Sequence, residues 1–170
     1  ILLNLDKVRH FTWVADPYKW GQKECKILFR GDIKGKPHRQ RFIEMWKKHP
    51  LCDLDYTDHM SLYNHLASRY IITIEGNDVA SNLKWVMSSN SVAVMPRPSF
   101  ETWFMEGLLI PNYHYIEIAA DYHDLIDKVN YYESHPEEVK AIINHAHEWV
   151  KQFQNSKRED LISLMVLNKY

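Results

Sequence analysis

Residues 70–96 read YIITIEGNDVASNLKWVMSSNSVAVMP, and the order of apolar and polar residues in this stretch decides the fold class. An apolar run opens the stretch and ends at a Gly-containing polar loop, which predicts a buried strand followed by a turn. Asn77 or Asp78 can cap a helix over about 79–88, and a second apolar run follows at 91–95. A buried strand, a helix and another buried strand in succession are typical of a parallel sheet.

The same alternation extends on both sides of that stretch. The segments predicted upstream are a strand at 25–29, a helix at 38–48, a strand at 51–56, and a helix from Thr57 or Asp58 to about Ser68. The segments predicted downstream are one or two helical turns at 100–107 that stop at Gly107, a strand at 113–118, and helices at 122–134, 136–152 and 158–168. We therefore predict an α/β fold, a Rossmann-like parallel sheet with helices on both faces.

The bulk composition fits one ordinary globular domain and excludes several classes of protein. The chain has 170 residues, of which 45% are hydrophobic and 25% charged, and its formal net charge is −1. That charge excludes a globally basic nucleic-acid-binding protein, so no nucleic-acid partner is expected and any anion site must be local. No apolar run approaches the roughly 18 residues that indicate a membrane-spanning helix.

Candidate phosphate-binding residues follow the first predicted strand. Open α/β sheets bind ligands at the carboxyl ends of their strands, and Arg30, Lys34 and Arg39 lie on a Gly-containing loop at such an end. Cations and free backbone N–H groups in a loop that opens a helix favour a diphosphate site. A solvated basic face is the alternative interpretation of these cations.

A second group of candidates, Ser81, Asn82 and Lys84, follows strand 70–74 and lies at a predicted helix start, where phosphate is attracted. A plain capped helix with exposed polar residues would give the same pattern.

The candidates for the nucleoside and its ribose come from this loop and the next one, and they are Gly76, Asn77, Asp78, Arg97 and Glu101. A carboxylate at 101 could accept hydrogen bonds from both ribose hydroxyls, with an ordinary surface carboxylate as the alternative.

Motifs for metals and for other nucleotide-binding families are missing from the sequence. His145 and His147 lie two residues apart in a predicted helix, so their side chains point to different faces, and no zinc site is expected. The absence of a Walker A loop and of a G-x-G-x-x-G fingerprint weakens the ATPase and dehydrogenase interpretations.

Four segments resemble glycosyltransferase family 90, and most closely its bacterial lipopolysaccharide core members. The segments are FRGDIKGKPHRQR (29–41), the stretch at 70–96, ETWFMEGLLIPNYHYIEI (101–118) and DYHDLIDKVNYYESHPEE (121–138). The resemblance implies a GT-B fold, in which two Rossmann-like domains face each other across a cleft and the C-terminal one binds the nucleotide-sugar. Residues 25–170 would form that donor-binding domain with its C-terminal helices. Residues 1–24 would be a linker or lead-in from a missing N-terminal domain.

The resemblance also implies an activity. It predicts a metal-independent, largely inverting hexosyltransferase that moves a sugar from a nucleotide-sugar, with UDP-hexose as the expected donor and no resident cofactor. Arg30 matches the family's phosphate-contacting Arg, and the 81–84 loop matches its diphosphate motif. Eukaryotic relatives carry Arg where Asn82 aligns, which leaves open whether Lys84 supplies the cation instead.

The expected acceptor is a lipopolysaccharide or lipooligosaccharide core, which is a lipid-linked oligosaccharide. The family's catalytic base belongs to the N-terminal domain, so no catalytic residue is assigned and this fragment alone is expected to be inactive. The resemblance places the enzyme in the cytoplasm and leaves open a peripheral contact with the inner membrane. A non-catalytic nucleotide-binding or regulatory Rossmann-like module is the alternative function.

Overall fold

The computed structural model describes residues 12–57 and 60–169. The strands of this part are β1 (Glu24–Arg30), β2 (Cys52–Asp55), β3 (Ser68–Ile72), β4 (Val92–Met95) and β5 (Ile116–Glu117). Its α-helices are α1 (Pro37–Trp46), α2 (Leu62–His65), α3 (Leu83–Met87), α4 (Leu125–Ser134), α5 (Pro136–Lys151) and α6 (Ser156–Lys169). None of the helices described is both long enough and apolar enough to cross a membrane.

All the strands pair in parallel in one sheet, in the order β2-β1-β3-β4-β5. Ile27 of β1 has Cys52 of β2 on one side and Tyr70 of β3 on the other. Along the chain, β2 is added on one side of β1, whereas β3, β4 and β5 are added on the other side. The direction in which strands are added therefore reverses between β1 and β3, and such a reversal opens a crevice at the carboxyl ends of the two strands. The predicted α/β class with a Rossmann-like parallel sheet is confirmed.

Alternate residues along the strands contribute to two apolar cores, one on each face of the sheet. On β3, Tyr70 and Ile72 belong to the first core and Ile71 to the second. Helices α1 and α4 supply the helical side of the first core, α3 supplies that of the second, and α5 contributes residues to both. Because helices cover both faces, β1, β3 and β4 each contain an uninterrupted run of buried apolar residues, at 27–29, 70–72 and 92–95.

The helix between β2 and β3 is shorter than predicted. It begins only after Ser61, whose hydroxyl accepts a hydrogen bond from the Asn64 backbone N–H, so Ser61 is the cap. The predicted cap Thr57 lies too early, and the alternative cap Asp58 lies outside the described residues. Ser68, predicted as the helix end, is the first residue of β3.

The helix between β3 and β4 begins at Leu83, four residues later than predicted. Capping by Asn77 or Asp78 is therefore wrong. The Gly76 N–H donates to the Asp78 carbonyl at 2.9 Å, which turns the chain before the helix can start. The loop after β3 is consequently longer than the sequence indicated, and it is this loop that shapes the candidate site.

The connection between β4 and β5, residues 96–115, also departs from the prediction. In place of helical turns that stop at Gly107, a 3₁₀ segment over Glu106–Leu108 contains that glycine. The left-handed residue is Met105, with φ 56°. β5 has two residues rather than the predicted six, because residues 112–114 form a turn in which the N–H groups of Tyr113 and His114 donate to the Ile110 carbonyl. Helices α4, α5 and α6 lie close to their predicted positions.

The described part of the predicted lead-in, residues 12–23, packs on the domain. Trp20 is buried in the first core. The Lys23 ammonium pairs with the Asp16 carboxylate at 2.7 Å, and their side chains are 0% and 2% exposed. These residues are thus held against the sheet, while residues 1–11 lie outside the described part.

Candidate functional site

Two adjoining cavities lie at the carboxyl ends of the strands. The β1–β3 cavity, of about 460 Å³, is lined by the ends of β1 and β3 and the loops that follow them. The β3–β5 cavity, of about 380 Å³, is lined by the loops after β3, β4 and β5. Ile74, Gly76 and Val79 line both, so the cavities share a wall. Small-molecule sites have volumes of roughly 300–1,000 Å³, so each cavity could hold part of a nucleotide-sized ligand.

Most of the predicted phosphate-binding and nucleoside-binding residues surround the β1–β3 cavity. Those in its wall are Arg30, Arg39, Gly76, Asn77, Asp78, Ser81 and Asn82. Lys34 is exposed and lines neither cavity. The structure therefore brings together two loops that are far apart in the sequence, at the point where the strand order reverses.

Arg30 lines this cavity but is anchored on the neighbouring strand. Its Nη2 donates to Asp53 Oδ1 at 2.8 Å, and its Nη1 donates to the carbonyls of Phe29 and Asp53 at 2.9 Å. Its side chain is 10% exposed, and within the described structure its buried Nε has no hydrogen-bond partner. A phosphate that contacts Arg30 would share the guanidinium with Asp53.

Arg39, in the first turn of α1, joins the two loops of the cavity. Its Nη1 donates to the Asp32 carbonyl at 2.8 Å, and its Nη2 and Nε donate to the carbonyls of Ile74 and Glu75 at 2.7 and 2.9 Å. Asp32 follows β1, whereas Ile74 and Glu75 follow β3. Burial lowers the pKa of Arg39, with the Asp32 carboxylate acting in the opposite direction, yet a guanidinium stays charged at neutral pH. A cation held by backbone carbonyls thus lies in the wall of the cavity.

Two glycines lie against this guanidinium. A Cβ at Gly31 would lie 3.3 Å from Arg39 Nη1, and a Cβ at Gly76 would lie 3.2 Å from Arg39 Nη2. Because three hydrogen bonds hold the guanidinium, it cannot easily yield to a side chain on either side. The sequence shows both glycines, but only the structure shows why they are there.

Glu75 joins the loop after β3 to the loop after β4, and sequence analysis missed it. Its carboxylate accepts hydrogen bonds from the backbone N–H groups of Ser99 and Phe100, both at 2.9 Å, and from the Ser99 hydroxyl. His38 Nε2 donates to the Glu75 carbonyl at 2.9 Å. The only signal in the sequence was a glutamate directly after a buried strand.

The two remaining nucleoside candidates have different positions. Arg97 is exposed and lines the β3–β5 cavity. Glu101 is exposed and lines neither cavity. It lies against Gly107, where a Cβ would be 3.2 Å from Glu101 Oε1. A ribose contact from Glu101 is therefore not supported by its position, whereas Glu106, five residues later, does line the cavity.

Two members of the predicted phosphate motif are used within the protein. Asn82 Nδ2 donates to the Ile72 carbonyl at 3.1 Å. The Lys84 ammonium bonds to Glu106 Oε1 at 2.9 Å, and both side chains are 1% exposed. The expected contact between Lys84 and a phosphate conflicts with this burial, because the amine does not reach either cavity wall.

Tyr122 lines the β3–β5 cavity in a backbone conformation that bulky residues rarely adopt. Its φ is 68°, and such strain costs on the order of 1–3 kcal/mol and concentrates at functional sites. Its ring packs edge-on against Phe42, at 5.2 Å between centroids, and its carbonyl accepts a hydrogen bond from Trp46 Nε1 at 3.0 Å. Helix α1 thus fixes a residue that follows β5 at the cavity.

Thr73 gives a first testable prediction. It lines the β3–β5 cavity, is 1% exposed, and its hydroxyl has no hydrogen-bond partner among the residues described. Replacing Thr73 with valine is expected to raise the free energy of unfolding by about 1 kcal/mol, because a buried unsatisfied hydroxyl is removed at nearly constant volume. Urea denaturation measures the change, and a loss of stability would show that the hydroxyl has a partner.

The two histidines that the sequence placed close together each contact other residues of the protein. Within residues 12–57 and 60–169, no group of three or more His, Cys, Asp or Glu side chains is placed to hold a metal ion. His145 stacks on Tyr113 at 3.6 Å between ring centroids, and His147 Nε2 donates to the Ser89 carbonyl at 2.7 Å. Both of these histidines therefore have structural roles.

Comparisons with known proteins identify the family to which the chain is similar. Residues 7–170 match the model of glycosyl transferase family 90. The chain is 40% identical over 181 aligned residues to O-glucosyltransferase LpsA of Dichelobacter nodosus, covering 100% of this chain and 57% of that protein. It is also 29% identical over 84 residues to Protein O-glucosyltransferase 2 of Danio rerio, covering 49% of this chain and 17% of that protein.

The chain thus spans little more than half the length of the bacterial relative. The family model, by contrast, covers nearly all of the chain, including every loop that lines the two cavities. The chain therefore belongs to glycosyl transferase family 90.

Proposed function

We propose that this chain is the donor-binding domain of a GT-B glycosyltransferase, which transfers a hexose from a UDP-hexose to a lipopolysaccharide core acceptor. The observation that carries the proposal is the pair of adjoining cavities at the strand-order reversal, where α/β sheets bind nucleotides. The family supports the reaction type, and the similarity to an O-glucosyltransferase of Dichelobacter nodosus supports transfer of a hexose to a hydroxyl group.

The two cavities differ in character, and this suggests how the donor lies. The β1–β3 cavity contains the cations Arg30 and Arg39, which suit the diphosphate. The β3–β5 cavity contains Val79, Pro96 and Phe100, which offer apolar surface to a nucleobase. We therefore place the diphosphate in the β1–β3 cavity and the nucleoside in the β3–β5 cavity. The wall that the two cavities share would then lie beneath the bond that joins the diphosphate to the nucleoside.

This placement explains how the reaction could proceed without a metal ion. Cleavage of the bond between hexose and diphosphate builds negative charge on the leaving group, and fixed cations nearby stabilise that charge. Arg39 is held rigidly by three carbonyls, so it needs no rearrangement during the reaction. The base that activates the acceptor hydroxyl, and the contacts to the lipid-linked acceptor, are assigned to a further domain of the full-length protein.

The test is a panel of nucleotide-sugars measured by thermal stabilisation of this chain. A ligand at 100 times its Kd stabilises a folded protein by about 2.7 kcal/mol, so specific binding shifts the melting temperature clearly. We expect UDP and UDP-hexoses to stabilise the chain and purine nucleotide-sugars to leave it unchanged. Stabilisation that is independent of base and sugar would instead indicate a phosphate-binding protein of another kind. Transfer by the full-length protein separates an enzyme from a non-catalytic nucleotide-binding or regulatory module.

Arg30 gives a second prediction. Replacing Arg30 with alanine is expected to weaken UDP binding about tenfold or more, because a charged hydrogen bond to phosphate contributes roughly 1.5–3 kcal/mol. Lys26→Ala is the matched control, since Lys26 is also a cation of β1 and bonds to the Pro50 carbonyl, but it lies outside both cavities. Calorimetry that gives equal affinities for the two variants would remove Arg30 from the diphosphate site.

A further inference from the structure

The buried ion pair between Lys84 and Glu106 is the feature that the proposed function leaves unexplained. Its two side chains are each 1% exposed, and the Lys84 ammonium lies 5.7 and 5.3 Å from the ring centroids of Trp103 and Phe104. Glu106 also accepts hydrogen bonds from the Thr102 backbone N–H at 2.7 Å and from the Thr102 hydroxyl. Each partner is thus satisfied inside the protein.

The pair joins two different walls of the β3–β5 cavity. Lys84 is the second residue of α3, directly after Leu83, which lines the cavity together with the loop after β3. Glu106 belongs to the β4–β5 connection, whose residues 96–100 form the opposite wall. Apart from Glu75, this pair is the contact that ties these walls together through side-chain charge in the described structure.

A buried ion pair is poor evidence for stability alone. Well-packed apolar residues of similar volume often stabilise a protein as much or more, because removing two charges from water is costly. An ion pair with fixed hydrogen bonds does, however, restrict geometry in a way that apolar contacts do not. Burial acts to raise the pKa of Glu106, but Lys84 and the Thr102 hydrogen bonds outweigh it and hold that pKa below its ordinary value. Glu106 is therefore ionised at neutral pH.

We infer that Lys84 and Glu106 are positioning residues for the nucleoside: their pair sets the distance between α3 and the β4–β5 connection and so fixes the width of the β3–β5 cavity. This inference rests on the proposed function, because it takes the cavity to be the nucleoside site. It assigns Lys84 an effect on the nucleoside half of the donor and no contact with the diphosphate.

The test compares the double variant Lys84→Met/Glu106→Met with wild type in three measurements. These are the urea midpoint of unfolding, the Kd for UDP and the Kd for uridine. The control is the double variant Lys140→Met/Glu137→Met, which removes an exposed ion pair of α5 by the same substitutions. The variant Glu106→Gln is measured as well, because it keeps the volume of the side chain. The Glu106 carboxylate accepts from Lys84 with one oxygen and from the Thr102 N–H with the other, whereas a glutamine amide has only one oxygen.

We expect the double variant to keep a urea midpoint near that of wild type while binding both UDP and uridine about tenfold more weakly. Glu106→Gln should weaken both ligands in the same ratio, and the control should match wild type. Unchanged binding in the double variant would show that the pair serves stability only. A loss for UDP with no loss for uridine would show that Lys84 acts on the diphosphate. If wild type itself binds neither ligand, the proposed function falls, and that result is distinct from either of these.

Discussion

Replacing Arg39 with methionine is expected to weaken UDP binding by about 100-fold and to lower the free energy of unfolding by about 2–3 kcal/mol. Methionine has a similar length but no donors, so the carbonyls of Asp32, Ile74 and Glu75 lose their shared partner. The loops after β1 and β3 would then no longer be joined, and the fixed cation of the diphosphate site would be lost as well. Calorimetry with UDP and urea denaturation measure the two effects.

Two further substitutions separate the charge of Arg39 from its geometry. Arg39→Lys keeps the charge but lacks the planar fork, so it should recover less than half of the lost binding free energy. Lys48→Met removes an exposed cation two residues after the end of α1 and should change neither quantity. An Arg39→Met variant that binds UDP within threefold of wild type would contradict the role given to this residue.

Replacing Phe42 with alanine is expected to lower the free energy of unfolding by about 3–5 kcal/mol, the largest stability effect that we predict. Phe42 is 0% exposed and packs edge-on against Phe29 at 5.8 Å and Tyr122 at 5.2 Å between ring centroids. Its removal leaves a cavity beneath α1, the helix that carries Arg39. Urea denaturation at constant m value measures the loss.

The matched control for Phe42 lies on the same helix. Met45 is 40% exposed, so Met45→Ala should cost only about 0.5 kcal/mol. If the alanine variants at 42 and 45 lost similar stability, the edge-on contacts of Phe42 with Phe29 and Tyr122 would not be what holds α1 to the sheet. UDP binding by the folded fraction of the Phe42→Ala variant should also weaken, because α1 would then hold Arg39 less firmly.

The sequence predicted the positions of β1 to β4 and of the long helices well for a simple reason. A strand buried on both faces must be apolar throughout, and a helix that covers a core must repeat its apolar residues every three or four positions. Helix α5 follows this rule, and its start at Pro136 was predicted to the residue. Local patterns of this kind do not depend on which neighbour packs against them.

The short helices were predicted less well, because their ends depend on particular hydrogen bonds. Ser61 rather than Thr57 caps α2, and the turn at Gly76 delays α3 until Leu83. Several polar residues in each loop could have served as caps. The choice among them was made by the surrounding structure.

For the candidate site, the sequence determined which loops take part, since the carboxyl ends of parallel strands always share one edge of the sheet. It did not determine what each polar side chain contacts. Arg30 is paired with Asp53, Arg39 with three carbonyls, and Lys84 with Glu106. These partners are supplied by other strands and connections, far away in the chain, so only the packed tertiary structure could bring them within hydrogen-bonding distance.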